Sequence, residues 1–157
     1  GTDRCRWRLR RQAPAGDWLL SVVVDALSWA RTFSGIDVAG PKGILSVVCN
    51  YSNGGSIVVD QPPHALFCRP LFPGSPPTVL RIRKAGSSLT VEAGRSLEQT
   101  DPFDATVPVS GLGQPLSFSF HAGRGTLRDD SLRDDALLAP VGFRWAALEQ
   151  TSLSPYR

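Results

Sequence analysis

The sequence contains no methionine and only two histidines, His64 and His121, among its 157 residues. The cysteines and histidines do not show the two closely spaced pairs that a four-ligand structural zinc site needs. No Gly-x-Ser-x-Gly elbow and no glycine-rich phosphate loop occurs. A Ser/His/Asp triad stays open, because triads are assembled in space and not along the chain. His64, in a proline-rich stretch, reads as a loop residue, and His121, at the end of an alternating segment, as a rim residue facing solvent. There are three glutamates, Glu92, Glu98 and Glu149, and no Glu-x-Asp-x-Glu spacing of the kind that sets two carboxylates on one strand face for glycoside hydrolysis. Catalysis is therefore the weaker expectation. No apolar run reaches the roughly 18 residues that cross a bilayer as a helix; the richest stretch, 18–29, is broken by Ser21, Asp25 and Ser28.

Cysteine is also scarce. Three residues, Cys5, Cys49 and Cys68, are too few and odd in number for a dense disulfide framework. Two arrangements remain open: a Cys49–Cys68 bridge that leaves Cys5 over, or buried reduced thiols. Asn50-Tyr51-Ser52 matches the N-glycosylation acceptor pattern, which is common by chance, so the compartment is undetermined. A chain that starts at Gly1 without methionine is expected of an excised or processed product or a fragment, and a targeting signal would then not be visible.

What is present suits one globular domain: 41% hydrophobic and 20% charged residues with a net charge of +3, enough to bury a single core over residues 1–157. The charge is too mild to point to nucleic acid. Its distribution is more telling, because Arg4, Arg6, Arg8, Arg10 and Arg11 are crowded at the N-terminus.

Residues 4–10 alternate strictly, so a strand there sets Cys5, Trp7 and Leu9 on the core side and a row of arginines on the other. Residues 17–33 are ambiguous. Polar residues every three or four positions suit a buried helix with a narrow wet stripe, while the Val22-Val23-Val24 run favours a strand, which is the expectation adopted. Apolar runs at 44–49 and 57–59 flank an Asn53-Gly54 turn signal and predict a hairpin. Residues 61–77 carry six prolines, too many missing donors for a central strand, and predict an irregular crossing with a short edge strand at 65–68.

The clearest element is a hairpin over 79–92, with Leu80, Ile82, Leu89 and Val91 inward and Arg81, Arg83, Ser88, Thr90 and Glu92 outward. A two-residue loop at Ala85-Gly86 would pair Ile82 with Leu89; a four-residue loop at 85–88 keeps the same faces. Leu116, Phe118 and Phe120 define a further strand, and Val141, Phe143 and Trp145 a closing core strand. Seven or more short strands with Gly- and Pro-rich turns indicate an all-β antiparallel sandwich or barrel, with room for one short helix.

The run Val79-Leu80-Arg81-Ile82-Arg83-Lys84-Ala85-Gly86 followed by Ser88-Leu89-Thr90-Val91-Glu92 resembles the basic strand, tight turn and return strand of the concanavalin A-like and laminin-G-like β-sandwiches, including the glucanase-like ones. The likeness continues through 116–121 and 141–148 and covers roughly half the chain. Ala93-Gly94-Arg95 stands where the family commonly has Asp-Gly, and no aromatic residue follows before Phe103. The resemblance implies a jelly-roll sandwich of the kind often used to bind glycans or proteins.

The candidate surface from the residues themselves is the arginine row Arg4, Arg6, Arg8 and Arg10. Guanidinium groups about 6.5–7 Å apart along a strand can meet a sulfated glycan, a phosphate or an acidic protein. The same arginines would equally serve to stop an edge strand from pairing with another sheet. Trp18, Trp29 and Tyr51 are candidates for a sugar-stacking platform, with burial in the core as the competing reading. Asp129, Asp130, Asp134 and Asp135 could supply oxygens to calcium, but Arg128 and Arg133 lie between them and favour a solvated segment with internal ion pairs. No cofactor is expected. The function expected is a non-catalytic binding or interaction module for a glycan, polyanion or protein partner. The alternatives are a glycoside-processing enzyme and a scaffold domain offering 61–77 as an extended surface to a partner.

Overall fold

The computed structural model describes residues 7–26, 32–50, 56–61, 64–70, 78–124 and 141–151. They form eleven strands: β1 (Trp7–Gln12), β2 (Trp18–Ala26), β3 (Thr32–Gly40), β4 (Gly43–Asn50), β5 (Ser56–Gln61), β6 (His64–Pro70), β7 (Thr78–Ala85), β8 (Ser88–Ser96), β9 (Gln99–Pro108), β10 (Ser117–Arg124) and β11 (Val141–Gln150). A single 3-10 turn at Val109–Gly111 is the only helical element among the described residues. The strands make two antiparallel sheets, one of six in the order β1-β10-β3-β4-β5-β6 and one of five in the order β11-β2-β7-β8-β9. The all-β antiparallel sandwich expected from the sequence is the fold observed.

The two sheets meet through side chains that alternate along each strand, as the pleat requires. Trp18, Leu20, Val22 and Val24 of β2 with Leu80, Ile82, Leu89 and Val91 of the central hairpin face Ile36, Val38, Leu45, Val47, Ile57, Val59, Phe118 and Phe120 of the six-stranded sheet. Residues 18–26 are strand and not helix: Trp18, Leu20, Val22 and Val24 enter the core between the sheets, and Leu19 and Ser21 on the other face are buried as well, the near-continuous burial of an inner strand. Trp18 is fully buried and meets Phe118 edge to face, with ring centroids 4.8 Å apart. It is core and no part of a stacking platform.

The β7–β8 hairpin has all four expected inward residues buried, but its register is that of the longer loop. Ile82 stands opposite Val91, Lys84 opposite Leu89 and Ala85 opposite Ser88. The turn falls at Gly86-Ser87, where Gly86 takes a positive φ of 59°, a conformation that costs a residue with a Cβ. Its N–H donates to Asp17 Oδ1 at 2.9 Å, which fixes the turn one position further along than Ala85-Gly86. The β4–β5 hairpin is present, with Val47 opposite Val59. The proline-rich region contains the expected edge strand, longer than expected, as β6. β11 closes the chain as an edge strand of the five-stranded sheet, not a central one, and Ala146, Leu148, Glu149 and Gln150 are exposed.

The register also answers the cysteine question. Cys49 of β4 lies opposite Ile57, while Cys68 of β6 lies opposite Val58. The two cysteine positions are two strands apart, about 9.5 Å, and on opposite faces of the sheet, beyond the Cα reach of a disulfide. Cys49 is a buried thiol.

Candidate functional site

The buried side chains of β10, β3, β4 and β5 define the inner face of the six-stranded sheet, so the alternate positions define its outer face. Following the register across the sheet, Arg10 stands opposite Ser119, Ser119 opposite Asp37, Asp37 opposite Ser46 and Ser46 opposite Asp60. One continuous polar row thus crosses five strands. The three central members are each held by an apolar residue on either side that is committed to the core, Ile36 and Val38 around Asp37, Leu45 and Val47 around Ser46, Phe118 and Phe120 around Ser119, and Asp60 by Val59 on one side. The rigid inner face therefore places the outer row.

Burial grades along this row. Arg10 is exposed, Ser46 and Asp60 are half-buried, and Asp37 and Ser119 are buried. The Ser46 hydroxyl donates to Asp37 Oδ1 at 2.7 Å. A serine has one proton to give, so Ser46 has none left for Asp60 on its other side. Asp60 Oδ1 is shut off from solvent and has no hydrogen-bond partner among the described residues. A desolvated carboxylate oxygen without a donor is a costly arrangement. Asp60 also sits where the β5–β6 register shifts after Val59, and such bulges re-aim side chains. Beside this row lies a second one with Gly35, Val48 and Val58 at its centre, flanked by the backbone positions of Arg8 and His121 on one side and Cys68 on the other.

Of the residues expected to bind ligand, β1 carries Arg8 and Arg10 to the edge of this outer face, opposite His121 and Ser119. Arg10 is exposed there. Arg4, Arg6, Trp29 and Tyr51 lie outside the described residues, as do Asp129, Asp130, Asp134 and Asp135. Among the described residues no three His, Cys, Asp or Glu side chains gather as a metal site. His64 and His121 occupy different strands, β6 and β10, separated by three others. Asp37, Ser46 and Asp60 were not singled out from the sequence. Their signal was a polar residue next to core residues in each of three strands, visible only once the strands are known to be neighbours.

No protein-family model and no curated protein matches the sequence. Similarity appears among solved structures. The CBM2 module of the evolved Dit of Lactobacillus casei BL23 phage J-1 aligns with a TM-score of 0.55 at 15% identity, over 75% of this chain and 61% of that one. A GH43 protein of Bacillus licheniformis aligns with a TM-score of 0.55 at 13% identity, over 73% of this chain and 28% of that one. The catalytic domain of an endo-1,3-beta-glucanase (laminarinase) of Thermotoga petrophila RKU-1 aligns with a TM-score of 0.56 at 8% identity, over 81% and 63%. This chain thus spans less than two thirds of each of those structures. At such identities the likeness is one of fold, and the resemblance to the concanavalin A-like sandwich read from the hairpin is present at that level.

Proposed function

We propose that the chain is a single saccharide-binding module without catalytic activity, and that its ligand lies across the outer face of the six-stranded sheet. The observation that carries this reading is the polar row from Arg10 through Ser119, Asp37 and Ser46 to Asp60. Saccharides are recognised by side chains that donate and accept side by side, set on a rigid platform. Its accessible members offer both kinds of group, Arg10 as a donor and the half-buried Ser46 and Asp60 as acceptors, while Ser119 and Asp37 lie buried between them. The likeness of fold to a module named as carbohydrate-binding supports the same reading. The exposed Arg10 supports it as well, by bringing positive charge to one end of the face.

A hydrolytic reading has one feature in its favour. The backbones of Asp37 and Asp60 are two strand spacings apart, about 9.5 Å, close to the upper end of the carboxyl separation in inverting glycosidases. Against it, Asp37 is buried and its Oδ1 is occupied by the Ser46 hydroxyl, so it is not placed to activate a water.

A glycan array followed by calorimetric titration of the best ligand decides between them. Asp60→Ala and Arg10→Ala should each weaken that ligand by about tenfold, the loss of one charge-assisted hydrogen bond. Unchanged affinity in both variants would remove the ligand from this face, and steady release of reducing ends would make the protein an enzyme.

A further inference from the structure

The outward positions of β7 are Arg81 and Arg83, at the centre of the five-stranded sheet and on the far side of the sandwich from the polar row. Arg81 stands between Ser21 of β2 and Glu92 of β8, and Arg83 between Leu19 and Thr90. Oppositely charged residues directly across two strands ordinarily pair, yet Arg81 and Glu92 do not. Arg81 Nε donates to Ser21 Oγ at 3.2 Å, toward β2. Glu92 Oε2 accepts from Thr100 Oγ1 at 2.8 Å, toward β9. Each side chain is drawn away from the other. The two terminal nitrogens of Arg81 and the whole guanidinium of Arg83 are left without a hydrogen-bond or ion-pair partner among the described residues.

The surroundings fit an anion. Both arginines are half-buried, Leu19 and Ser21 beneath them are buried, and Thr90 adds a half-buried hydroxyl beside Arg83. The nearest carboxylate, Glu92, is turned away. The other acid in the same row as Arg83, Glu149 of β11, is exposed and two strands off. Residues i and i+2 of a strand stand about 6.5–7 Å apart. A planar carboxylate presents both oxygens on one side and is satisfied by one guanidinium. A tetrahedral oxyanion presents oxygens on opposite sides and can be held between two.

We propose that Arg81 and Arg83 form a binding site for a tetrahedral oxyanion, occupied by the sulfate ester of a saccharide. The oxyanion site stands independently of the saccharide face described above; only the saccharide part of the occupant rests on that reading. The site moves the expected recognition of polyanions from the N-terminal edge to the centre of the other sheet.

Side-chain and backbone NMR titration of the full chain tests it, with sodium sulfate, a sulfated oligosaccharide and its desulfated counterpart as probes. Saturable shifts at the Arg81 and Arg83 Nε–H groups and the Thr90 amide are expected with the first two and not with the third. Arg83→Ala and Arg83→Gln should each weaken the sulfated probe at least fivefold, while Lys42→Ala, at an exposed turn away from both faces, leaves it unchanged. Shifts confined to the β1 edge, or an unaltered affinity in both Arg83 variants, would overturn the site. Binding of sulfate but not of the sulfated oligosaccharide would overturn the saccharide as occupant. Loss of neutral-glycan binding in Asp60→Ala reads on the other face and leaves this one standing.

Discussion

Asp60 shows how much a single position can cost. Its neighbour across the strand, Ser46, donates its hydrogen bond to Asp37, and the enclosed Oδ1 of Asp60 has no donor among the described residues. Removing the negative charge by Asp60→Asn should raise stability by about 1 kcal/mol, the low end of the penalty for an unsatisfied buried group. Urea denaturation checks this, and a loss of stability would mean that Asp60 has a donor in the folded chain. A stabilising substitution that also weakens the glycan is the signature of a residue kept for binding. Nothing in the sequence marks Asp60 out, since a lone aspartate at a strand end is ordinary. The signal is the missing donor, and that depends on which strand lies beside it.

At the scale of the element, the β7–β8 hairpin is bound to the start of β2 by one carboxylate. Asp17 Oδ1 accepts from the Gly86 N–H at 2.9 Å and stands 3.7 Å from Lys84 Nζ, which in turn donates to the Gly16 carbonyl at 2.8 Å. Lys84 is an inward position at the end of the core and is only 8% exposed. Asp17→Ala should therefore cost about 2 kcal/mol, from a lost turn bond and a buried ammonium deprived of its counter-charge. Adding Lys84→Met to Asp17→Ala should recover part of that loss, because the unpaired charge goes with it. Additive losses in the double variant would show that Asp17 and Lys84 act separately. The faces of this hairpin were legible from its alternation, but the two-residue difference in register was not. Either pairing buries the same four side chains, and the contact that separates them comes from a residue 69 positions away.

On the scale of the molecule, the pairings that close the two sheets join the ends of the chain to distant partners: β1 to β10 and β11 to β2. Loop closure over such separations must precede the contacts that repay it, so refolding should take milliseconds to seconds. Stopped-flow fluorescence follows this through the four tryptophans, among them Trp18, whose ring packs against Phe118 when the sheets meet. A relaxation in microseconds would be incompatible with this topology. Gly94 marks the same kind of constraint. A Cβ there would run into the Gln99 carbonyl, so the β8–β9 turn can close only on a glycine.

The class of fold and most strands with their inward faces were legible from the residues alone, because period-two alternation and turn residues are local properties that each segment carries wherever it lies; β3 and β9, where glycines or prolines interrupt the alternation, were not. The arginines along β1 and β7 were legible too. Which strands are neighbours emerged with the folded chain. That choice assembled Ser119, Asp37, Ser46 and Asp60 into one row from four separate strands, set Cys49 and Cys68 on opposite faces, and placed Arg81 and Arg83 at the centre of a sheet. Adjacency between distant strands depends on how two whole faces fit together, and no single segment encodes it.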